Sequence, residues 1–146
     1  MSLLASAFGP GAIVFADRAN DWRHALEIAG AALAASGCTT DGYSQHMISV
    51  VEELGPYIVI APGLALGHAR PNETVIKTGM SVAVFTEPVV FGNAANDPVH
   101  AVFALAARDH DAHLELLAEF ANLASGEGFV NSLLTCSDVR TFRALL

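Results

Sequence analysis

The stretch VHAVFALAA, residues 99–107, predicts the fold more clearly than any other part of the chain. All of its side chains except His100 are apolar, and apolar residues do not alternate with polar ones. Such a pattern is typical of a β-strand that is covered on both faces. Shorter runs of the same character occur at Ala12–Phe15, Tyr57–Ala61 and Met80–Phe85. We therefore expect a sheet buried between two layers of helices.

A helical pattern follows the first of these runs. Apolar side chains recur at helical spacing from Trp22 to Leu33. Asn20 or Asp21 can cap the start of this helix, and Gly37 can end it. Helices alternating with buried strands indicate an α/β fold. The predicted architecture is a three-layer sandwich, with a central mixed, mostly parallel sheet flanked by helices on both faces, in a single domain that spans residues 1–146.

Two more long helices are predicted, and two short ones are expected at Phe129–Leu134 and after a cap at Ser137. One is predicted from near Thr40 to Leu54, because Gly55-Pro56 would stop it. The other follows residues 99–107, with a cap at Asp109 or Asp111. Its expected core stripe consists of Leu114, Leu117, Ala118 and Ala121.

Composition limits the classes of partner and compartment. The chain has 146 residues and a net charge of −8, from 7 Lys+Arg against 15 Asp+Glu. This balance disfavours binding to nucleic acid and to anionic membranes, which are polyanions. No apolar stretch approaches the roughly 20 residues of a membrane-spanning helix, and Met1–Gly9 lacks the basic start of a signal peptide. Cys38 and Cys136 show no metal-binding or disulfide pattern. These features predict a cytoplasmic protein.

His68 is the first candidate functional residue. It follows the apolar segment Leu64–Leu66 and precedes Ala69-Arg70-Pro71. A phosphoryl acceptor must be neutral near pH 7 and still basic enough to attack, and imidazole meets both demands. Arg70 is two residues away and could bind phosphate oxygens. The alternatives are a solvated loop histidine and an Arg70 that pairs with Glu73.

His113 is the second candidate. It lies about two residues past a cap at Asp111, near the start of the third helix. Helix N-termini attract phosphate and favour neutral imidazole, although an exposed surface histidine remains the alternative. With His110 it forms an H-x-x-H pair, which is a weak zinc signal. No cysteine or carboxylate completes this pair convincingly, so we expect no metal, and no nucleotide-binding motif is present, so we expect no cofactor.

The order of motifs along the chain resembles the EIIA components of the fructose–mannitol type in the phosphoenolpyruvate-dependent phosphotransferase system, and among them the ascorbate-specific branch most closely. The resemblance extends from about Ile13 to the C-terminus. It rests on these segments: Gly55–Gly63, His68–Pro71, Lys77–Gly79, Pro88–Gly92, Asn96–Val99, Leu105–Asp109 and His113-Leu114.

The resemblance implies a function and a set of partners. His68 would be the phosphorylated histidine, His113 a second histidine beside it, and Arg70 a further phosphate contact. The small phosphocarrier HPr would be the donor, and a cysteine of an EIIB component the acceptor, with a membrane EIIC component served indirectly. The activity implied is that of a phosphotransferase without cofactor or metal. The sequence leaves the oligomeric state open, including a homodimer, and does not identify the sugar.

Two positions depart from the family pattern. Relatives usually have proline directly before the active histidine, whereas this chain has Gly67. Mannitol-type relatives commonly carry an arginine near the end of the second helix, where Glu52 and Glu53 stand here. Two other functions stay open at this point. One is a regulatory phosphoprotein of the nitrogen-regulatory kind, and the other is a metal-dependent enzyme that uses His68, His110 and His113.

Overall fold

The computed structural model describes residues 3–146. The segment Met1–Gly9, for which we predict no signal peptide, therefore lies partly outside the described residues. The elements in chain order are α1 (Leu3–Ala7), β1 (Ile13–Ala16), α2 (Trp22–Ala35), α3 (Tyr43–Leu54), β2 (Val59–Ala61), β3 (Leu64–His68), β4 (Gly79–Val89), β5 (Val99–Ala106), α4 (His110–Ala124), α5 (Phe129–Thr135) and α6 (Val139–Arg143). Within these residues, no helix has both the length and the apolar character to cross a membrane. Helix α1 was not predicted.

The five strands form one sheet in the order β1-β4-β5-β3-β2. β1 pairs with β4, and β3 with β5, in parallel. β4 pairs with β5, and β2 with β3, in the antiparallel sense. The predicted mixed sheet is confirmed, but its two parallel and two antiparallel pairings make it evenly mixed and not mostly parallel. The antiparallel β4–β5 pairing accounts for this difference, since two adjacent strands joined by a loop need no crossover helix.

Strand β5 shows why the sheet needs helices on both sides. Ala101, Phe103 and Leu105 face one hydrophobic cluster, which also contains Leu116 and Phe120 of α4. The alternate residues Val102, Ala104 and Ala106 face a second cluster, which includes residues of α2 and α3. Both sets are fully buried. The three-layer sandwich is therefore confirmed, with α1, α4, α5 and α6 on one face and α2 and α3 on the other.

The predicted core stripe of α4 is wrong at three of its four positions, since of the four only Leu117 packs against the core. Leu116 and Phe120 are its buried residues, whereas Leu114 is 50% exposed, Ala118 and Ala121 are exposed and Leu117 is half-buried. Leucine and alanine occur on both sides of this helix, so hydropathy alone did not fix which side faces the sheet. The exposed Leu114 points to a role outside the core.

Candidate functional site

His68 is the last residue of β3 and not a loop residue as predicted. Side chains alternate along a strand, so His68 lies on the same face as Leu64 and Leu66. Those two leucines belong to the cluster that packs against α4. The imidazole is half-buried, and the strand directs it to the face of the sheet on which α4 lies.

A backbone contact favours one tautomer of the His68 imidazole. Its Nδ1 lies 3.2 Å from the carbonyl oxygen of Leu66. A carbonyl oxygen only accepts hydrogen bonds, so Nδ1 must carry the proton in this contact. The lone pair is then on Nε2, which is the nitrogen available as a nucleophile.

A buried tyrosine, which was predicted only as part of an apolar helix stripe, holds the strand end beside His68. The Tyr43 hydroxyl donates to the carbonyl oxygen of Leu105 at 2.6 Å and accepts the N–H of Ala69 at 3.0 Å. Leu105 is the residue that pairs with His68 across the two parallel strands. Burial raises the pKa of Tyr43 to about 12, against the lowering effect of the hydrogen bond with Ala69. The hydroxyl thus stays protonated and joins β3 to β5 at the site.

Gly67 is enclosed by two buried side chains. A Cβ added at this position would lie 2.7 Å from Leu26 Cδ2 and 3.2 Å from Met47 Sδ. Leu26 and Met47 come from α2 and α3, and both are at most 1% exposed. These side chains therefore occupy the space that any larger residue before His68 would need.

Helix α4 brings His113 to His68. The cap is Asp109, whose side chain accepts the N–H of Ala112 at 2.8 Å, and not Asp111. The His113 N–H donates to the Asp109 carbonyl oxygen at 3.1 Å, so it is not free to bind phosphate. The two imidazole centroids are 5.3 Å apart at an interplanar angle of 67°. The predicted juxtaposition of His68 and His113 is present, although the two residues are 45 positions apart in sequence.

The environment of His113 disfavours its charged form. Burial lowers its pKa below the ordinary value of 6.5, and the neighbouring imidazoles His68 and His110 lower it further. A neutral imidazole can donate one hydrogen bond without carrying charge. At neutral pH His113 is therefore suited to contact a phosphoryl oxygen from beside His68.

Both histidines line an open depression with a volume of about 1110 Å³. Arg70 also lines it and is exposed. Within residues 3–146 the Arg70 guanidinium has no ion-pair partner, and Glu73 lies instead 3.9 Å from His46 Nε2. The remaining lining residues are His46, Ser49, Val50, Glu53, Leu54, Tyr57, Ala69, Pro71, Asn72, His110, Leu114 and Leu117.

Exposed apolar side chains surround this depression. Leu54 is 65% exposed, Leu114 50% and Tyr57 47%. A cluster of large apolar side chains on the surface is typical of a site where another protein docks. The exposure of Leu114, which contradicts its predicted core position, is explained by its place at this rim.

Tyr57 contacts His68 and was missed as a site residue. Its ring centroid is 6.1 Å from that of His68, at an interplanar angle of 88°. The sequence pattern placed Tyr57 in a strand, but β2 begins only at Val59. The site therefore contains an aromatic side chain that strand periodicity assigned to the core.

Of the other candidate ligands, His110 lines the same depression, whereas Cys38, Cys136 and Glu52 do not. Within the described part of the chain, no group of three or more His, Cys, Asp or Glu side chains could hold a metal ion. Cys38 is buried near α2, and Cys136 lines a separate cavity of about 490 Å³ together with His100. Glu52, at the end of α3, bonds Arg23 at 3.1 Å.

Comparison with known proteins identifies the family and the fold. The family model for the phosphoenolpyruvate-dependent sugar phosphotransferase system, EIIA 2, matches residues 7–146. The chain belongs to this family. EIIA components are phosphotransferases that relay phosphate, so the chain is a phosphoryl carrier. The ascorbate-specific PTS system EIIA component of Salmonella choleraesuis is 39% identical over 119 residues, which is 81% of this chain and 77% of that protein.

Solved EIIA structures have the same architecture. The PTS IIA chain PtxA of Streptococcus mutans superposes with a TM-score of 0.87 at 29% identity, covering 97% of this chain and 91% of that one. The mannitol-specific cryptic phosphotransferase enzyme IIA CmtB of Escherichia coli gives a TM-score of 0.85 at 28% identity, with 98% and 97% covered. The EIIA fold predicted from the resemblance is therefore confirmed.

Proposed function

We propose that this EIIA protein carries phosphate on Nε2 of His68, between phospho-HPr and a cysteine of an EIIB component, in an ascorbate-type transport system. The observation that supports this proposal best is the pairing of His68 with His113 in an open depression. The hydrogen bond from Nδ1 to the Leu66 carbonyl oxygen leaves the lone pair of Nε2 free for attack.

The chemistry consists of two balanced transfers. In the first, Nε2 of His68 forms a bond to phosphorus while the bond between phosphorus and the donor nitrogen breaks, and the electron pair returns to the HPr imidazole. In the second, an EIIB thiolate forms the bond to phosphorus, and the electron pair of the broken bond returns to Nε2. Neither step needs a metal ion, because phosphohistidine is already an activated donor.

Three groups around His68 have distinct roles in these transfers. His113, held neutral by burial, donates a hydrogen bond to a phosphoryl oxygen and stabilises the charge that develops in the transition state. Arg70, which lacks an ion-pair partner among residues 3–146, supplies a charged contact when a partner delivers phosphate. The rim of Leu54, Tyr57 and Leu114 supplies the apolar part of the docking surface for each partner.

The assignment to ascorbate transport rests on the curated relatives. Several ascorbate-specific EIIA components are 36–39% identical over 81% of this chain. We propose that the protein acts in the cytoplasm and serves a membrane EIIC component only through EIIB. The acidic net charge of −8 agrees with protein partners and not with nucleic acid.

Reconstitution of the relay tests this proposal. The protein is incubated with phosphoenolpyruvate, Enzyme I and HPr, and the modified residue is mapped by mass spectrometry under alkaline conditions that preserve phosphohistidine. We expect one phosphoryl group on His68, which then moves to an ascorbate-type EIIB. A label on another residue, or a labelled protein that no EIIB discharges, would refute the proposal. Metal analysis of the same preparation tests the alternative of a metal-dependent enzyme.

A further inference from the structure

Among residues 3–146, the imidazole of His68 has one hydrogen bond that fixes its orientation. The 3.2 Å between Nδ1 and the Leu66 carbonyl oxygen is at the long end of the range for such bonds. A half-buried ring can turn about its bond to Cβ, which would break this contact and release the proton to either nitrogen. Additional contacts must therefore keep the Nε2 lone pair directed into the depression.

Tyr57 provides such a contact. Its ring and that of His68 are nearly perpendicular, at 88°, with centroids 6.1 Å apart. This edge-to-face arrangement is one of the favoured geometries for aromatic pairs. Together with His113, whose centroid is 5.3 Å away, it gives His68 two ring neighbours on the surface of the protein.

The segment that carries Tyr57 is anchored, although the side chain is 47% exposed. The Asn93 side chain donates to the carbonyl oxygen of Pro56 at 3.3 Å, directly before Tyr57. The Asn96 side chain donates to the carbonyl oxygen of Val59 at 3.1 Å. The carboxylate of Asp97 orders the same loop by accepting the N–H groups of residues 91, 92 and 93 at 2.8–3.0 Å. Tyr57 is thus fixed to the body of the protein from both sides along the chain.

We propose that Tyr57 is a positioning residue, whose ring holds the His68 imidazole in the orientation that keeps Nδ1–H on the Leu66 carbonyl and Nε2 in the depression. The proposal concerns the ring and not the hydroxyl, since within residues 3–146 the Tyr57 hydroxyl has no hydrogen-bond partner. Burial raises the pKa of Tyr57, so the phenol remains neutral and brings no negative charge toward a phosphoryl group. The effect on phosphoryl transfer rests on the function proposed above, whereas the effect on His68 orientation does not.

Three variants distinguish the effect of losing the Tyr57 ring from the effect of losing its hydroxyl and from that of changing any exposed side chain nearby. Tyr57→Phe keeps the ring, Tyr57→Leu removes it, and Ile60→Ala is the matched control. Ile60 is 46% exposed, close to the 47% of Tyr57, but it does not line the depression. The first measurement is the protonation of the His68 nitrogens by ¹⁵N NMR near pH 8, without phosphate. The second is the loading rate with phosphoramidate, a small donor that requires no protein docking.

We expect wild type, Tyr57→Phe and Ile60→Ala to show the Nδ1–H form of His68, and Tyr57→Leu to show a mixture of both forms. Loading of Tyr57→Leu should slow by about two- to tenfold, the range that corresponds to one aromatic pair. If Tyr57→Leu keeps the Nδ1–H form and the wild-type rate, or if Tyr57→Phe is impaired as much as Tyr57→Leu, the proposal is wrong. Failure of the wild type to be labelled by phosphoenolpyruvate, Enzyme I and HPr would refute the proposed function instead, and the NMR result would still decide the role of Tyr57.

Discussion

The hydroxyl of Tyr43 accepts the N–H of Ala69, the residue directly after His68, at 3.0 Å. The same hydroxyl donates to the Leu105 carbonyl oxygen on β5 at 2.6 Å. One oxygen atom on α3 therefore bridges the backbone just after β3 and the backbone of the neighbouring strand β5. The position of His68 thus depends partly on Tyr43, a buried side chain that does not line the depression.

Tyr43→Phe should destabilise the protein by about 1–3 kcal/mol, because it leaves a buried N–H and a buried C=O without a partner. Urea unfolding measures this loss, and hydrogen exchange at the Ala69 amide should become faster. Tyr57→Phe is the matched control, since that hydroxyl bonds no other group within residues 3–146, and its free energy of unfolding should stay within about 0.5 kcal/mol of wild type. Equal stability of the two variants would show that the Tyr43 hydroxyl does not fix the strand end.

His68→Gln should fold and should accept no phosphoryl group, because glutamine lacks a nucleophilic nitrogen. His100→Gln is the control. It changes a half-buried histidine near the start of β5, whereas His68 pairs with Leu105 near the end of that strand. Labelling with phosphoenolpyruvate, Enzyme I and HPr measures the result. Wild-type labelling of His68→Gln would disprove the assignment of the nucleophile.

His113→Ala should still be labelled on His68 but should deliver phosphate to EIIB more slowly. The loss of one hydrogen-bond donor from a developing charge costs on the order of 3 kcal/mol, or about a hundredfold in rate. His113→Asn should recover part of this loss by supplying a neutral donor. Quench-flow measurements give the loading and unloading rates separately. Wild-type rates for both variants would show that His113 is a surface residue without a role in transfer.

The lowered pKa of His113 predicts a pH dependence of stability. Its pKa is lowered in the folded protein, mainly by burial, so the unfolded chain binds more protons between that pKa and about 6.5. The free energy of unfolding should therefore rise with pH through this window and level off above it. Urea titrations from pH 5 to 7.5 measure the slope, which should be smaller in His113→Asn. The same slope in both proteins would assign the pH dependence to other groups.

Gly67→Ala should destabilise the protein by about 1–3 kcal/mol, because its Cβ would lie 2.7 Å from Leu26 Cδ2 in a packed interior. Leu26→Ala alone should cost about 2–5 kcal/mol, since it opens a cavity. In the double variant the new methyl group occupies part of that cavity, so its loss should be smaller than the sum of the two single losses. A double-mutant cycle measures this coupling. Additive losses would mean that Leu26 does not restrict position 67.

The sequence predicted the parts of the site that repeat known motifs. His68, Arg70 and His113 stand in motifs that resemble EIIA proteins, and the structure brings all three to one depression. The contribution of Tyr43 was not predictable in this way. A tyrosine in an apolar helix stripe indicates burial, but only the folded chain shows that its hydroxyl reaches residues 26 and 62 positions away.

Errors in the fold prediction had physical causes too. The predicted strand Met80–Phe85 is only the central part of a strand of 11 residues, Gly79–Val89. The polar residues Thr86 and Glu87 and the following Pro88 suggested a break, but they are exposed on a stretch where the strand pairs irregularly. Proline is tolerated in such irregular strand segments.

Strand β5 is the last strand in the sequence, yet it occupies the centre of the sheet. Without it, β1 with β4 and β2 with β3 are two separate pairs, because β5 is the strand that joins them. A nascent chain of which only the first 98 residues have left the ribosome therefore contains His68 but lacks β5, the strand beside which His68 is positioned. Central insertion of a late strand is a long-range step of the kind that slows folding. The capacity to carry phosphate is thus acquired late in synthesis, and a nascent or truncated chain that lacks β5 has no assembled site to present to its partners.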